Sequence, residues 1–299
     1  MSHMTKRSVL ITGCSDGGLG AHLAIAFDKA GWRVFATARN PAKITTVRAA
    51  GLETLVLDTR SVDSIATCAS QVHGLTGGSL DMLLNNAGGG YSMPLLDVDL
   101  VKLREVFELN VFSLVTVSRG FLPLLRASRH GATIVNNTSC SSLPSAALPF
   151  AGSYNASKAA AANLTEFMRL ELQPFEVKVV NLMTGAVRSS FHANLTETTL
   201  PPDSIYNVAK DRVERTMAGE GQSRDDGADP EVYAKHVVAK LSRQSPSHWV
   251  WEGKWTTLAW FGQFLPIGTL DRVIKNMVGL DILEKTIRQQ NIASTKKVV

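Results

Sequence analysis

Ser8-Val9-Leu10-Ile11-Thr12-Gly13-Cys14-Ser15-Asp16-Gly17-Gly18-Leu19-Gly20 is the stretch that decides the fold of this chain. Its first residues are apolar and largely β-branched, which predicts a short buried strand over Val9 to Thr12. Glycines come directly after it, and an apolar-periodic helix then runs through Ala30. Strand, glycine loop and helix in this order bring backbone amides and the positive end of a helix dipole to one place, a seat suited to a pyrophosphate. An ordinary turn also uses glycine, so the loop takes its meaning from the remainder of the chain.

That remainder alternates. Further strands are predicted at Arg33 to Ala38, Thr54 to Asp58, Met82 to Asn85, Thr133 to Asn136 and Val177 to Leu182, with helical stretches between them. A last strand at His248 to Trp251 is predicted after a helix over Pro230 to Arg243. Such alternation implies an α/β fold of Rossmann type, a doubly wound parallel sheet with helices on both faces. The 299 residues suit one large domain, and no linker, internal repeat or low-complexity segment divides them. The reading is one domain over 5–299, with Met1-Ser2-His3-Met4 set aside as a cloning remnant.

Composition narrows the setting. Hydrophobic residues make up 44% and charged residues 19%, as in ordinary globular proteins. The net charge of +5 comes from scattered Lys and Arg without a basic run interleaved with aromatics, so nucleic acid is not the expected partner. Cys14, Cys68 and Cys140 neither pair evenly nor show metal-ligand spacing. With no secretory signal before the first strand, a reducing cytoplasmic setting without a metal is expected. No apolar run reaches the ~20 residues that span a bilayer.

Tyr154-Asn155-Ala156-Ser157-Lys158 places a phenol and an ammonium one helical turn apart, on one helix face. A tyrosine of ordinary pKa ~10 transfers protons poorly at neutral pH, and a neighbouring cation favours its phenolate. The pair suits acid–base work on a carbonyl or an alcohol. Alone it also describes many solvated helix faces. The second strand ends in Arg39, where an acidic residue would bind a ribose 2′-hydroxyl and a guanidinium suits a 2′-phosphate. Arg39 therefore points to NADP(H), with a surface arginine at a strand end as the alternative.

Together with Asn85-Asn86-Ala87-Gly88 after a strand and Asn110 on a later helix, these motifs resemble the short-chain dehydrogenase/reductase family over most of the chain. The loop usual there is TGxxxGxG; here one residue is added, so Gly13, Gly18 and Gly20 match and Gly17 is extra. The resemblance implies an NADP(H) cofactor held by Gly13, Ser15, Gly18, Leu19, Gly20 and Arg39. It also implies Asp58 at the adenine, Asn86 near the adjoining ribose, and Val187 and Ser189 at the nicotinamide end. Thr184-Gly185 stands where the family usually has Pro-Gly. Tyr154 would give a proton to the carbonyl oxygen, Lys158 would lower the tyrosine pKa and bind the nicotinamide ribose, and Asn110 would hold a water linking the lysine to solvent. For the serine that orients the carbonyl, the strand Ile134-Val135-Asn136-Asn137-Thr138-Ser139, resembling IVNISS, selects Ser139; a thirteen-residue separation from the tyrosine selects Ser141. Ser139 is preferred, because strand position is fixed by the sheet whereas loop length varies.

Ser204-Ile205-Tyr206-Asn207, Arg215-Thr216-Met217-Ala218 and Tyr233-Ala234-Lys235 are similar to a narrower branch, the fungal 1-acyl-dihydroxyacetone-phosphate reductases and related reductases of fungal metabolism. An NADPH-dependent ketone reductase is therefore expected, acting on a lipid-type ketone or on a specialised fungal metabolite. A protein that senses NADPH without turnover is the reading from another class, and it would not need Asn110, Ser139, Tyr154 and Lys158. Residues 191–229 correspond to the family's substrate lid, where Lys210, Arg212 and Arg215 could face a phosphate or solvent, and where His192 is read as a surface or packing group. The aromatic-rich tail over 249–299 is read as core, subunit contact or substrate wall; contact with a membrane surface, at the endoplasmic reticulum or a lipid droplet, is left open. Leu103, Val106, Phe107, Val111, Leu114 and Val115, with Ala159 to Ala162, suggest a homodimer or homotetramer, with Ala161 as the residue to test.

Overall fold

The computed structural model describes residues 6–191, 198–219 and 226–296, and its side chains through residue 290. His192, and with it part of the lid segment, lies outside the described residues.

Chain order builds the molecule as β1 (Ser8–Ile11), α1 (Leu19–Lys29), β2 (Arg33–Ala38), α2 (Thr45–Ala49), β3 (Glu53–Val56), α3 (Val62–Thr76) and β4 (Met82–Asn85). Then come α4 (Leu100–Phe107), a π-helical turn (Glu108–Phe112), α5 (Ser113–Arg126), β5 (Ala132–Asn137), α6 (Gly152–Leu172) and β6 (Val177–Thr184). The remainder is α7 (Lys210–Met217), α8 (Pro230–Leu241), β7 (Trp249–Glu252), α9 (Thr256–Gly262), α10 (Asp271–Val278) and α11 (Leu280–Lys296). All ladders are parallel, in the order β3-β2-β1-β4-β5-β6-β7. The predicted doubly wound sheet is thus the fold, with boundaries displaced by a residue or two. β3 ends at Val56 rather than Asp58, because the Asp58 amide leaves the ladder to donate to Ser64 Oγ on α3. β6 runs on to Thr184, still paired with Glu252 of β7.

Alternation along each strand sorts the core into two layers. Val9, Ile11, Val34, Ala36, Met82 and Leu84 face α1 and α8, with Phe27 and Tyr233 between them. Leu10, Phe35, Leu83 and Ile134 face α3 and α5, against Ile65, Val72 and Phe121. Burying a side chain of this size contributes about 1.5–3 kcal/mol, so two filled faces hold the strand ends rigidly. A third cluster lies over the carboxyl ends of the strands. There Tyr91, Met93 and Phe150 pack on Val213 and Met217 of α7 and on Val278 of α10, joining part of the expected lid to part of the tail. Phe264 and Ile267, between α9 and α10, remain 69% and 90% exposed. Among the described residues no helix is long and apolar enough to cross a membrane.

The chain reverses its winding between β1 and β4. The two strands stay paired while the connections leaving them pass to opposite faces of the sheet, and the crevice beyond their carboxyl ends is where this architecture places a ligand.

Candidate active site

The glycine loop between β1 and α1 is folded tightly against the start of the β4 connection. Gly13 has φ +73°, and a Cβ there would sit 2.8 Å from Ala87 Cα; a Cβ on Gly20 would sit 2.4 Å from the Gly13 carbonyl oxygen. Neither position admits a side chain. α1 begins without a side-chain cap or an acidic residue in its first turn, as α6 and α9 do, and the glycine loop leading into it is what sets it apart. The positive end of its dipole faces this loop, a setting that favours an anion. The cradle therefore fits the pyrophosphate of a dinucleotide. The Ser15 carbonyl accepts from Gly18 N at 3.0 Å, and Leu19 packs partly on the core.

Gly17, the additional residue, links this loop to the chain leaving β6: Ser190 N donates to its carbonyl at 2.9 Å. Beside it, Asp16 accepts from Thr45 N at 3.1 Å, Thr45 Oγ1 at 2.7 Å and Thr46 N at 2.8 Å, fixing the start of α2. Desolvation opposes the charge, but these donors hold the Asp16 carboxyl down at about 2. The insertion is thus accommodated by bonds to two flanking segments.

α6 carries Tyr154 and Lys158 on one face. Lys158 is buried, its Nζ donating to the Asn137 carbonyl at 2.8 Å and lying 5.8 Å from the Tyr154 ring centroid. Burial pushes this ammonium down to about 8. Burial also pushes the half-buried Tyr154 up to about 12, with the Ser139 hydroxyl drawing it back. Desolvation dominates this phenol and sets it above its ordinary value, the opposite direction from the depression expected of Lys158. Ser139 continues the extended backbone of β5 and reaches Tyr154; Ser141 stands behind it, donating from N at 3.2 Å and from Oγ at 3.0 Å to Ser139 Oγ.

Asn110 sits in the π turn, where the widened helix aims its side chain into the site wall. Its Oδ1 accepts from Gly89 N at 2.9 Å, and its Nδ2 donates to Gly89 O at 2.8 Å and to Ser157 Oγ at 2.9 Å. A Cβ on Gly88 would lie 3.1 Å from Asn110 Oδ1 and 3.4 Å from Lys158 Nζ, so the helix, the Asn-Ala-Gly loop and the lysine converge there.

Arg39 follows β2, exposed and without an ion pair among the described residues. Asp58 follows β3, accepts from Arg60 N at 3.0 Å and lies 3.7 Å from the Arg60 guanidinium. Val187 packs partly on the core, and Ser189 Oγ accepts from Phe191 N at 3.4 Å, setting Phe191 5.3 Å from Tyr154 between ring centroids. Two of the lid cations are engaged within the protein. Lys210 pairs with Glu214 at 3.3 Å, and Arg212 donates to Met277 O at 3.3 Å.

Sequence reasoning passed over a row of buried polar groups beneath this site. Thr12 Oγ1 accepts from both Asn86 N and Ala87 N at 2.9 Å, and Asn137, Thr184 and Tyr233 join Asn86 in one network. The available signals were the threonine in place of the family's proline and the paired asparagines at two strand ends. Among the described residues no His, Cys, Asp and Glu group could hold a metal.

Comparison with known proteins agrees with this geometry. A short-chain dehydrogenase/reductase of Pestalotiopsis microspora is 45% identical over 286 residues, covering 95% of this chain and 98% of its own. The NADPH-dependent 1-acyldihydroxyacetone phosphate reductase of Schizosaccharomyces pombe is 33% identical over 290 residues, covering 92% and 95%. Among solved structures, a short-chain dehydrogenase from Streptomyces avermitilis superimposes with a TM-score of 0.72 at 26% identity, covering 95% and 99%; one from Burkholderia cenocepacia, in complex with NADP, gives 0.66 at 25%, covering 91% and 97%. The short chain dehydrogenase family model matches residues 7–200, and this chain belongs to that family of oxidoreductases, which act on CH–OH and C=O groups with a nicotinamide cofactor.

Proposed function

We propose that the chain is an NADPH-dependent ketone reductase that forms a secondary alcohol from a hydrophobic substrate. The observation that carries this reading is the meeting of Ser139, Tyr154 and Lys158 beside a glycine cradle, with Arg39 free at the end of β2. Arg39 would hold the 2′-phosphate, the α1 amides the pyrophosphate, and Lys158 the nicotinamide ribose, with Asp58, Asn86, Val187 and Ser189 along the remaining length. When bound there, a nicotinamide cofactor would supply the hydride that the carbonyl carbon needs. Tyr154 gives its phenolic proton to the carbonyl oxygen, which Ser139 Oγ orients by hydrogen bonding. A phenol that keeps its proton to about 12 remains a donor throughout the neutral range. Asn110, whose side chain is bonded to Gly89 and Ser157, keeps in place the wall past which a water-borne proton reaches Lys158.

For the substrate, 1-acyl-dihydroxyacetone phosphate is the first candidate, supported by the Schizosaccharomyces pombe relative and by the apolar cluster above the site. A ketone of specialised fungal metabolism is the second, favoured by the engagement of Lys210 and Arg212 within the protein rather than toward a phosphate. NADPH oxidation with an acyl-dihydroxyacetone phosphate beside phosphate-free aryl and alkyl ketones decides between them. No turnover with any ketone, despite tight NADPH binding, would instead favour a sensing role.

A further inference from the structure

Tyr233 is 1% exposed within α8, and its hydroxyl lies 2.6 Å from Thr184 Oγ1. Thr184 Oγ1 donates to Asn137 Oδ1 at 2.5 Å, and Asn137 Nδ2 donates to Asn86 Oδ1 at 2.9 Å. Asn86 Nδ2 then reaches the carbonyls of Thr12 at 2.9 Å and Gly13 at 3.2 Å. This chain crosses the carboxyl ends of β6, β5, β4 and β1, from the helix behind the sheet to the glycine loop.

Its polarity is fixed from the far end. The Thr12 and Gly13 carbonyls only accept, so the Asn86 amide nitrogen must face them and its oxygen must face Asn137. Asn137 must then donate to Asn86 and present its own oxygen to Thr184. The single Thr184 hydrogen goes to that oxygen, and Tyr233 must donate to Thr184. Reversing any amide would set acceptor against acceptor in a buried place, where an unmet polar group is costly. The two loop carbonyls thus set the direction of every bond, and the Tyr233 hydroxyl is the donor that completes the chain.

Both functional ends of the cleft hang on this chain. Asn137 lends its main-chain carbonyl to Lys158 Nζ, and Gly13 is the loop residue whose carbonyl a Cβ on Gly20 would strike. We propose that Tyr233 and Thr184 are positioning residues for the cofactor cleft, holding the Lys158 anchor and the glycine loop in one mutual orientation through Asn137 and Asn86. The inference rests on the proposed NADPH-binding role of the cleft. It also assigns a purpose to Thr184, where the family's usual proline could neither donate to Asn137 nor accept from Tyr233.

Direct fluorescence titration with NADPH tests it, alongside kcat and KM for a reduced ketone. The variants are Thr184→Val, Thr184→Ser, Tyr233→Phe, and Thr184→Val combined with Tyr233→Phe. Thr184→Val is expected to raise the NADPH Kd about tenfold, as for one buried hydrogen bond left unmet, and Thr184→Ser to restore it within about twofold. Tyr233→Phe should weaken binding in the same direction, and the double variant should be no weaker than Thr184→Val alone, because both act on one chain. An unchanged Kd in Thr184→Val, a serine variant as weak as the valine, or additive losses would overturn the proposal. Tyr233→Phe, which removes one oxygen and keeps the ring, carries the test should Thr184→Val not fold. Substantial turnover in Tyr154→Phe would end the acid–base reading alone, since the titrations need no turnover.

Discussion

Lys158 Nζ donates at 2.8 Å to the main-chain carbonyl of Asn137, the residue that ends β5. The contact ties the cation of α6 to the central sheet, so its position is set by the strand rather than by a long flexible stem. Tyr154 lies on the same face, one turn earlier, with Ser139 approaching it from the continuation of that same strand. Two elements packed by the core therefore fix these three side chains.

Removing the phenolic oxygen separates chemistry from binding. Tyr154→Phe is expected to lower kcat by about 10²–10⁴, the range of general acid catalysis, with the NADPH Kd nearly unchanged. Lys158→Ala should lower kcat and raise Kd together. Titration beside steady-state kinetics checks both, and a Phe variant with substantial turnover removes Tyr154 from the mechanism.

Burial of Lys158 sets the pH dependence. Below about 8 the lysine is charged, and above it the proton is lost, whereas Tyr154 keeps its proton to about 12. Reductive kcat/KM should therefore fall above about pH 8, and Lys158→Arg, which stays charged, should move that descent upward. Stability runs the other way. Between about 8 and the ordinary lysine value of 10.5 the unfolded chain holds a proton that the folded chain has released, so this residue makes unfolding harder as pH rises through that window. Urea unfolding of the wild type and Lys158→Met across the window reads the slope, which the Met variant should lack.

Arg39 is the residue proposed to carry a preference for NADPH. A charge-assisted contact to a 2′-phosphate is worth ~1.5–3 kcal/mol, or about ten- to a hundredfold in affinity. Arg39→Asp should erase or reverse the preference for NADPH over NADH, read as the ratio of the two Kd values. Equal use of both by the wild type would refute the assignment.

Legibility tracked the physics of each position. Val9, Leu10 and Ile11 announce a strand buried on both faces, and the structure assigns them alternately to the α1 and α3 sides. Local spacing likewise placed Tyr154 and Lys158 on one face. Strand register favoured Ser139 and residue spacing Ser141, and the two signals conflict because both hydroxyls meet once the segment turns. The direction of the Tyr154 shift is set first by desolvation, which a sequence does not display. Thr184 and Tyr233 stand 49 residues apart and meet only across the fold.

Assembly calls for a test residue other than Ala161. That alanine is 0% exposed in the single chain, so a charge there would disrupt the core rather than a partner contact. The outward positions of α6 instead include Ala156, Asn163, Phe167 and Leu170, spaced at helical intervals; the adjoining helix presents Phe112, Val115 and Arg119. Phe167, Leu170 and Phe112 are 56%, 56% and 51% exposed, more apolar area than two neighbouring helices usually leave in water. Two-fold pairing of this face would cover it without leaving an open end. Phe167→Glu is expected to shift a dimer or tetramer toward monomer with little change in unfolding temperature, whereas Ala161→Glu should lower that temperature sharply. Light scattering beside calorimetry distinguishes the two, and a wild-type protein that stays monomeric at micromolar concentration with full activity would overturn the assembly.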